Sequence, residues 1–417
     1  MAKRIVLCLD GTWNEEGQTD HGVEIETNVL KLYKALVNSS DQIDRYFAGV
    51  GTRPFEKVSG GAFGWGLFNQ IKDAYRALIR VYDPGDQLFI FGFSRGAYSA
   101  RSLAGMILRC GVLRKDVDQK HLAIEPHLND LLTTTQDPNL LPDATDKVFA
   151  LYKHGYDVRN RPDIELFKQR NCHDASIHFI GVWDTVGALG LPDKLVIPAL
   201  RAIDDTLREE WFGFLDTELN PRIEAACHAL AIDERREPFL PTLWTDQRGG
   251  PPRINVPNSK IKQVWFVGAH ANVGGGYVDT GLSDISLAWM ARAAQQQGLS
   301  VDAGLYQRAT PDPTAARRDS LGEFLHPDGA QKHKLLALSS LVSRLGTALE
   351  NIARSQIEVE RPVASGSVIH YSVDERLKAP STHEPGGSGS YQPPTTLKLD
   401  PAGVRQVDPA RYTIEGP

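Results

Sequence analysis

The stretch from Asp86 to Gly111, DQLFIFGFSRGAYSARSLAGMILRCG, constrains this chain most. Its apolar run Leu88-Phe89-Ile90-Phe91 follows the turn residues Asp83-Pro84-Gly85-Asp86, the pattern of a buried strand. After Gly92-Phe93-Ser94-Arg95-Gly96 the period changes, and Ala97, Ala100, Leu103, Ala104, Ile107 and Leu108 recur at helical spacing. Strand, G-x-S-x-G and helix, in that order, make the context of a nucleophile elbow. A turn tight enough to lift a serine clear of a sheet has little room for side chains two residues either side. Gly92 and Gly96 stand at those places. The helix N-terminus would point peptide N–H groups at Ser94, where negative charge develops in acyl transfer. A chain with 37 glycines can produce the bare pentapeptide by chance. The flanking elements carry the reading.

Upstream, Arg4–Leu9 reads as a first strand ending in Asp10-Gly11-Thr12-Trp13-Asn14, and Asn28–Val37 as a helix. Arg45–Ala48 reads as a second strand, and residues 69–81 as an amphipathic helix. Strands alternating with helices call for a mostly parallel sheet with helices on both faces. The expected architecture is an α/β-hydrolase fold in one domain, residues 1–417, with helical insertions forming a cap. In that fold the nucleophile strand is the fifth, so Arg4–Leu9 takes the third strand's place and the N-terminal hairpin is missing or supplied elsewhere. The loop after the third strand donates one oxyanion-hole N–H, and the residue after the nucleophile donates the other. Gly11 or Thr12, with Arg95, are the candidates. The alternative for Asp10-Gly11 is a simple turn.

Ser176–Trp183 is the next strand, ending at Asp184-Thr185-Val186-Gly187. An acid at the C-terminal end of a parallel strand lies on the edge where α/β active sites gather. Asp174 precedes the strand and Asp193 lies in a loop beyond it, so Asp184 is the candidate acid. The alternative is an aspartate making a local turn with Thr185 and Val186. Ile261–Gly268 is another strand, followed by His270. The order Ser94, Asp184, His270, each at a strand end, is the order of α/β-hydrolases. His228 is assigned to a helix from about Pro221 to Asp233, as a core or supporting histidine. Gly274–Gly276 matches neither phosphate-loop pattern and reads as a closely packed loop holding His270.

Residues 112–175 show no obvious strand and read as a helical insertion, either a cap over the site or packing on the sheet's flank. Residues 188–260 form a second insertion, with Leu195, Val196, Ile197, Leu200, Trp211, Phe212, Phe214 and Leu215 in a charged background. That set is either the buried face of packed helices or the wall of an acyl-chain groove. Residues 332–354 read as a helix, Ile369–Val373 as a late strand or a surface segment, and 379–394 as a Pro/Gly/Ser-rich loop or tail.

A net charge of −6 and a pI near 6.1 give no electrostatic case for nucleic acid or an anionic membrane surface as partner. Cys8, Cys110, Cys172 and Cys227 lie far apart with no C-x-x-C, so they read as reduced thiols. The basic start Met1-Ala2-Lys3-Arg4 is followed by an apolar run that stops at Asp10, too short for a signal peptide. No segment approaches membrane-spanning length, and the chain is expected to be cytoplasmic as synthesised. No cofactor motif and no metal-ligand spacing stand out, although Asp10, Asp279 and Asn272 could converge.

Together these motifs resemble the α/β-hydrolase domain family that includes the class-one phospholipase effectors of type VI secretion. The residues that carry the resemblance are Leu9–Asn14, Gly49–Thr52, Gly92–Ala97, Gly181–Val186, His228–Glu234, Gly268–His270 and Val273–Tyr277. Leu282–Asp284, Leu287–Met290 and His370–Val373 extend it. The resemblance implies a Ser94–Asp184–His270 triad, esterase chemistry and phospholipid as substrate, with contact at a membrane periphery. It also implies a bacterial protein, export without a leader, and an immunity or secretion protein as partner. Asn272 departs from the aspartate expected before Val-Gly-Gly-Gly, and no appended membrane-binding or secretion-needle module is visible. The competing functions are a soluble carboxylesterase or amidase, and a non-catalytic binding protein on the same fold. All three triad residue types being present argues against the last.

Overall fold

The computed structural model describes residues 2–12, 14–20, 22–49, 60–117, 122, 143–154, 161–187, 219–245, 260–325, 358–401 and 405–416. Its main sheet is built from β1 (Arg4–Leu9), β2 (Gln42–Phe47), β3 (Gln87–Phe93), β4 (Ile177–Trp183), β5 (Ile223–Ala231), β6 (Ile261–Phe266), β7 (Val368–His370) and β8 (Thr413–Glu415). The order across the sheet is β8-β7-β6-β5-β4-β3-β1-β2. Every neighbouring pair is parallel. This is the α/β-hydrolase architecture expected from the motifs.

Strands of a parallel sheet are covered on both faces, so they read as continuous apolar runs. In β3, Leu88, Phe89, Ile90 and Phe91 are all fully buried. Leu88 and Ile90 join one core with Ile5, Leu7 and Leu9, while Phe89, Phe91 and Phe93 join another with Val6 and Cys8. The helices that fill these cores and frame the site are α1 (Asn28–Lys34), α2 (Gly60–Val81), α3 (Arg95–Cys110), α4 (Ala144–His154), α5 (Arg161–Asn171), α6 (His270–Gly274), α7 (Gly281–Gln296) and α8 (Tyr371–Lys378). Helices α2 to α5 line the first face, and α1, α6, α7 and α8 the second. Helix α1 starts where Thr27 Oγ1 accepts from the Leu30 N–H at 3.1 Å, and Lys31 and Lys34 sit at its carbonyl end.

Chain order explains where the site forms. From β1 the chain steps outward to β2, then returns past β1 to β3 and moves the other way through β4 and β5. The direction therefore switches between β1 and β3, and the crevice at the carboxyl ends of those two strands is where such sheets bind ligands.

Several expectations are corrected. The segment expected to be a helix from Pro221 to Asp233 contains β5, which pairs with β4 and β6 in the middle of the sheet. Residues 188–260 are thus not one helical insertion. Its apolar set Leu195–Leu215, Asp193, the predicted helix 332–354, and Val50, Gly51 and Thr52 lie outside the described residues. In the first insertion, α4 and α5 pack into the core beside α2 and α3, which is flank packing. A two-strand ribbon, Val112–Leu113 against Cys172–His173, closes that insertion at its base. The late strand ends at His370, and α8 begins at Tyr371. The expected tail at 379–394 carries a hairpin, Thr382–Glu384 with Gly387–Gly389, and buries Tyr391. All four cysteines are buried free thiols. Among the described residues, no helix is long and apolar enough to cross a membrane.

Candidate active site

At the end of β3 the chain turns through Ser94 at φ 58° and enters α3 directly. A β-carbon on Gly92 would stand 2.4 Å from the Gly96 carbonyl oxygen, and one on Gly96 would stand 2.3 Å from the Leu9 carbonyl oxygen. Contacts that short with backbone cannot be relieved by a rotamer change, so only glycine fits either place. A serine at a helix N-cap ordinarily accepts from the first turn's N–H groups. Ser94 makes no such bond. Its Oγ lies 2.8 Å from His270 Nε2 instead.

His270 opens the short helix α6, just past β6. Its ring packs on Phe93, centroids 4.7 Å apart, and meets Phe239 edge-on at 4.9 Å. Its backbone N–H donates to Glu234 Oε2 at 3.1 Å. The other ring nitrogen, Nδ1, lies 2.5 Å from Asp184 Oδ2. Asp184 follows β4 at φ 42° and is fully buried. Its N–H donates to the Ala229 carbonyl at 2.8 Å, and its Oδ1 accepts from the Ala231 N–H at 3.0 Å. The three candidate residues thus meet in one line at the carboxyl edge of the sheet. Asp174 sits at the opposite edge, paired with Lys168 and Arg222 at 2.6 Å each.

Burial pushes the His270 pKa down, and the pull of Asp184 in the other direction only partly offsets it. Burial acts to raise the Asp184 pKa, but the Arg361 guanidinium and His270 outweigh it and hold the carboxyl far below the usual range. The charged Asp184 is therefore the resting form.

His228 was expected on a helix, and it lies on β5 instead. Its Nε2 accepts from the Thr185 N–H at 3.1 Å, so the ring anchors the loop that carries Asp184. Burial, followed by the charge of Arg101, lowers its pKa to about 3 and keeps it neutral.

Of the two candidates on the first loop, Gly11 donates its N–H to Asp10 Oδ1 at 2.7 Å, so that N–H already has a partner. The use of Gly11 is close approach, because a β-carbon there would lie 3.0 Å from Ser94 Cβ. Thr12 keeps the role open, and its buried hydroxyl has no partner among the described residues. Asp10 also accepts from Thr27 Oγ1 at 2.5 Å and Tyr46 Oη at 2.7 Å. Burial raises its pKa to about 6 against these donors. Asp279 and Asn272 bind the backbone of Ala316 and not the Asp10 cluster. Among the described residues there is no group of three or more metal-binding side chains.

Asn272 fixes the histidine loop. Its Oδ1 accepts from Ala269 N at 3.2 Å and Arg318 N at 3.1 Å, while Nδ2 donates to the Ala316 carbonyl at 3.1 Å. Sequence reasoning missed Glu234 and Arg361. Glu234 lies in a stretch quoted for the resemblance but had no role there, and no local signal marks Arg361.

Among solved structures, the chain is similar to an uncharacterized protein from Pseudomonas aeruginosa, at 16% identity and TM-score 0.41, over 85% of this chain and 52% of that one. It is similar to the Tle1 effector solved bound to the VgrG spike of the type 6 secretion system, at 17% identity and TM-score 0.36, over 67% of this chain and 52% of that one. It also matches the uncharacterized protein YEL023C of Saccharomyces cerevisiae, 30% identical over 313 residues, which are 64% of this chain and 40% of the relative. The chain thus spans about half the length of the structures it matches, and less of the yeast relative. A yeast relative also means that this kinship alone does not place the protein in bacteria. Residues 3–293 match the family model for the catalytic domain of Tle1-like phospholipase effectors of type VI secretion, and the chain belongs to that family.

Proposed function

We propose that this chain is a serine ester hydrolase that cleaves phospholipid through an acyl-enzyme. The observation that carries the reading is the line Asp184–His270–Ser94, with contacts of 2.5 and 2.8 Å, ending on a serine held at positive φ. His270 Nε2 takes the Oγ proton as Ser94 attacks the acyl carbonyl carbon, and the leaving alcohol departs with that proton. Water, deprotonated by the same nitrogen, then frees the fatty acid from Ser94. Asp184 accepts from Nδ1–H and so holds the imidazole in the tautomer that leaves Nε2 basic. The Arg95 and Thr12 N–H groups, with the Thr12 hydroxyl, are the donors assigned to the oxyanion in this reading.

Family membership supports phospholipid as the acyl donor, and contact with a lipid surface follows from that substrate. The same membership supports a secretion-linked protein partner. The test sets wild type beside Ser94→Ala, on phosphatidylcholine vesicles and on acetyl and butyryl nitrophenyl esters, with a fluorophosphonate probe. The probe is expected to label only the wild type, and fatty-acid release to fall by on the order of 10⁴- to 10⁶-fold in the variant. Equal labelling of both proteins would remove Ser94 as nucleophile. Turnover of the short esters with no release from vesicles would make the protein a soluble carboxylesterase.

A further inference from the structure

The segment that follows the family-matched region places a guanidinium on the candidate acid. Arg361 is 1% exposed. Its Nη1 lies 2.5 Å from Asp184 Oδ1, and its Nη2 lies 2.8 Å from Asp184 Oδ2. The same nitrogens donate to the Ala231 carbonyl at 2.8 Å and the Phe239 carbonyl at 2.5 Å. Thr396 Oγ1 donates to the Arg361 carbonyl at 2.6 Å, which ties Arg361 to the chain further on. A bidentate fork on a carboxylate fixes both its position and its plane.

The chemistry of that fork reaches His270. The Asp184 charge that would stabilise a protonated imidazole is already shared with a permanent cation. Three charged or titratable groups and the Ser94 hydroxyl surround the pair. Glu234 accepts from the His270 N–H, the Arg236 guanidinium forms two hydrogen bonds with Glu234 at 2.8 and 2.9 Å, His228 holds Thr185, and Ser94 faces Nε2. Burial is the largest influence keeping the imidazole neutral, and Arg236 lowers its pKa while Glu234 raises it. Arg361 is the cation that touches Asp184 itself, and so it shares the charge the imidazole would draw on.

We propose that Arg361 is a positioning residue for the reaction: it orients Asp184, holds back part of the Asp184 charge from His270, and makes the segment around Arg361, beyond the family-matched region, part of the catalytic unit. This rests on the serine hydrolase reading above. Arg361 acts as a fixed charge and transfers no proton.

The experiment measures the pH dependence of kcat/KM on a butyryl nitrophenyl ester for wild type, Arg361→Gln and Arg361→Lys, with fluorophosphonate labelling of each. Arg361→Gln removes the charge, and its acidic limb is expected to move up by about one pH unit. Arg361→Lys keeps the charge without the fork, so its limb should stay while kcat falls roughly tenfold. Wild type needs no folded variant, and its acidic limb is expected below the ordinary histidine value of about 6.5. A wild-type limb above pH 7, or an Arg361→Gln limb that does not move while Ser94 still labels, overturns the proposal. Absence of Ser94 labelling in wild type would instead overturn the serine hydrolase reading.

Discussion

Ser94 and Asp184 are the two non-glycine residues at positive φ among the described residues, and they are held there in different ways. Each such conformation costs on the order of 1–3 kcal/mol and persists only where the surroundings over-determine it. At Ser94 the surroundings are mainly steric, set by the elbow's own glycines and the neighbouring end of β1. Gly92 and Gly96 make room, and α3 begins at the next residue. At Asp184 they come from elsewhere in the chain: Ala229, Ala231 and His228 on β5, and Arg361 far beyond it. A strained hydroxyl needs little more than steric permission. A buried carboxylate needs counter-charge and donors, and no run of neighbouring residues supplies them.

The largest combined effect, on turnover and stability together, should come from breaking the second arrangement. Asp184→Asn is expected to lower turnover by roughly 10⁴, because the imidazole loses the partner for its tautomer and its positive form. It should also cost about 3–5 kcal/mol of stability, since Arg361 is left buried without its anion. Ser94→Ala should abolish turnover at nearly unchanged stability. Denaturant midpoints measured beside activity separate the two, and an Asp184→Asn midpoint equal to wild type would mean that charge does not hold the acid turn.

Acid titration sharpens the contrast further. Asp184 lies far below the ordinary carboxyl range, and Glu234 is held at about 2 because Arg236 outweighs a burial effect that would raise it. Their stabilisation is present above about pH 4 and is lost as pH falls toward those folded-state values. Asp10 runs the other way. Its pKa of about 6 lies above the unfolded value, so its contribution is complete below about pH 4 and lost as pH rises through 6. Melting temperatures across pH 3–7 should show Asp184→Asn losing the acid-side fall and Asp10→Asn losing the decline between about pH 4 and 7. If Asp10→Asn keeps that decline, the Asp10 carboxyl is not the group that titrates there.

The smallest effect concerns the histidine loop. Asn272→Asp restores the residue type expected from the family pattern, and it keeps an acceptor for Ala269 and Arg318. It cannot donate to the Ala316 carbonyl, so a loss of about 1–3 kcal/mol is expected, with kcat/KM changed by less than tenfold. Thermal melts and short-ester kinetics check both figures. A larger fall in kcat/KM than in stability would show that the loop places His270 more tightly than its hydrogen bonds suggest.

The sequence by itself determined the elbow, the alternation of strands and helices around it, and the strand ends that carry Ser94, Asp184 and His270. Those features are local, since a turn, a change of period or a strand terminus is encoded within a few residues. It did not determine β5. The run Ile223–Ala231 is rich in alanine and apolar at nearly every position, and periodicity cannot separate a doubly buried strand from a buried helix segment. Pairing with β4 and β6 decided it. Nor did it determine which N–H of the first loop is taken, because that depends on where the Asp10 carboxylate folds back. Arg361 is the extreme case, 177 residues from the Asp184 it grips. A buried ion pair is a meeting of two distant segments in a medium that excludes water, and only the tertiary fold creates that medium.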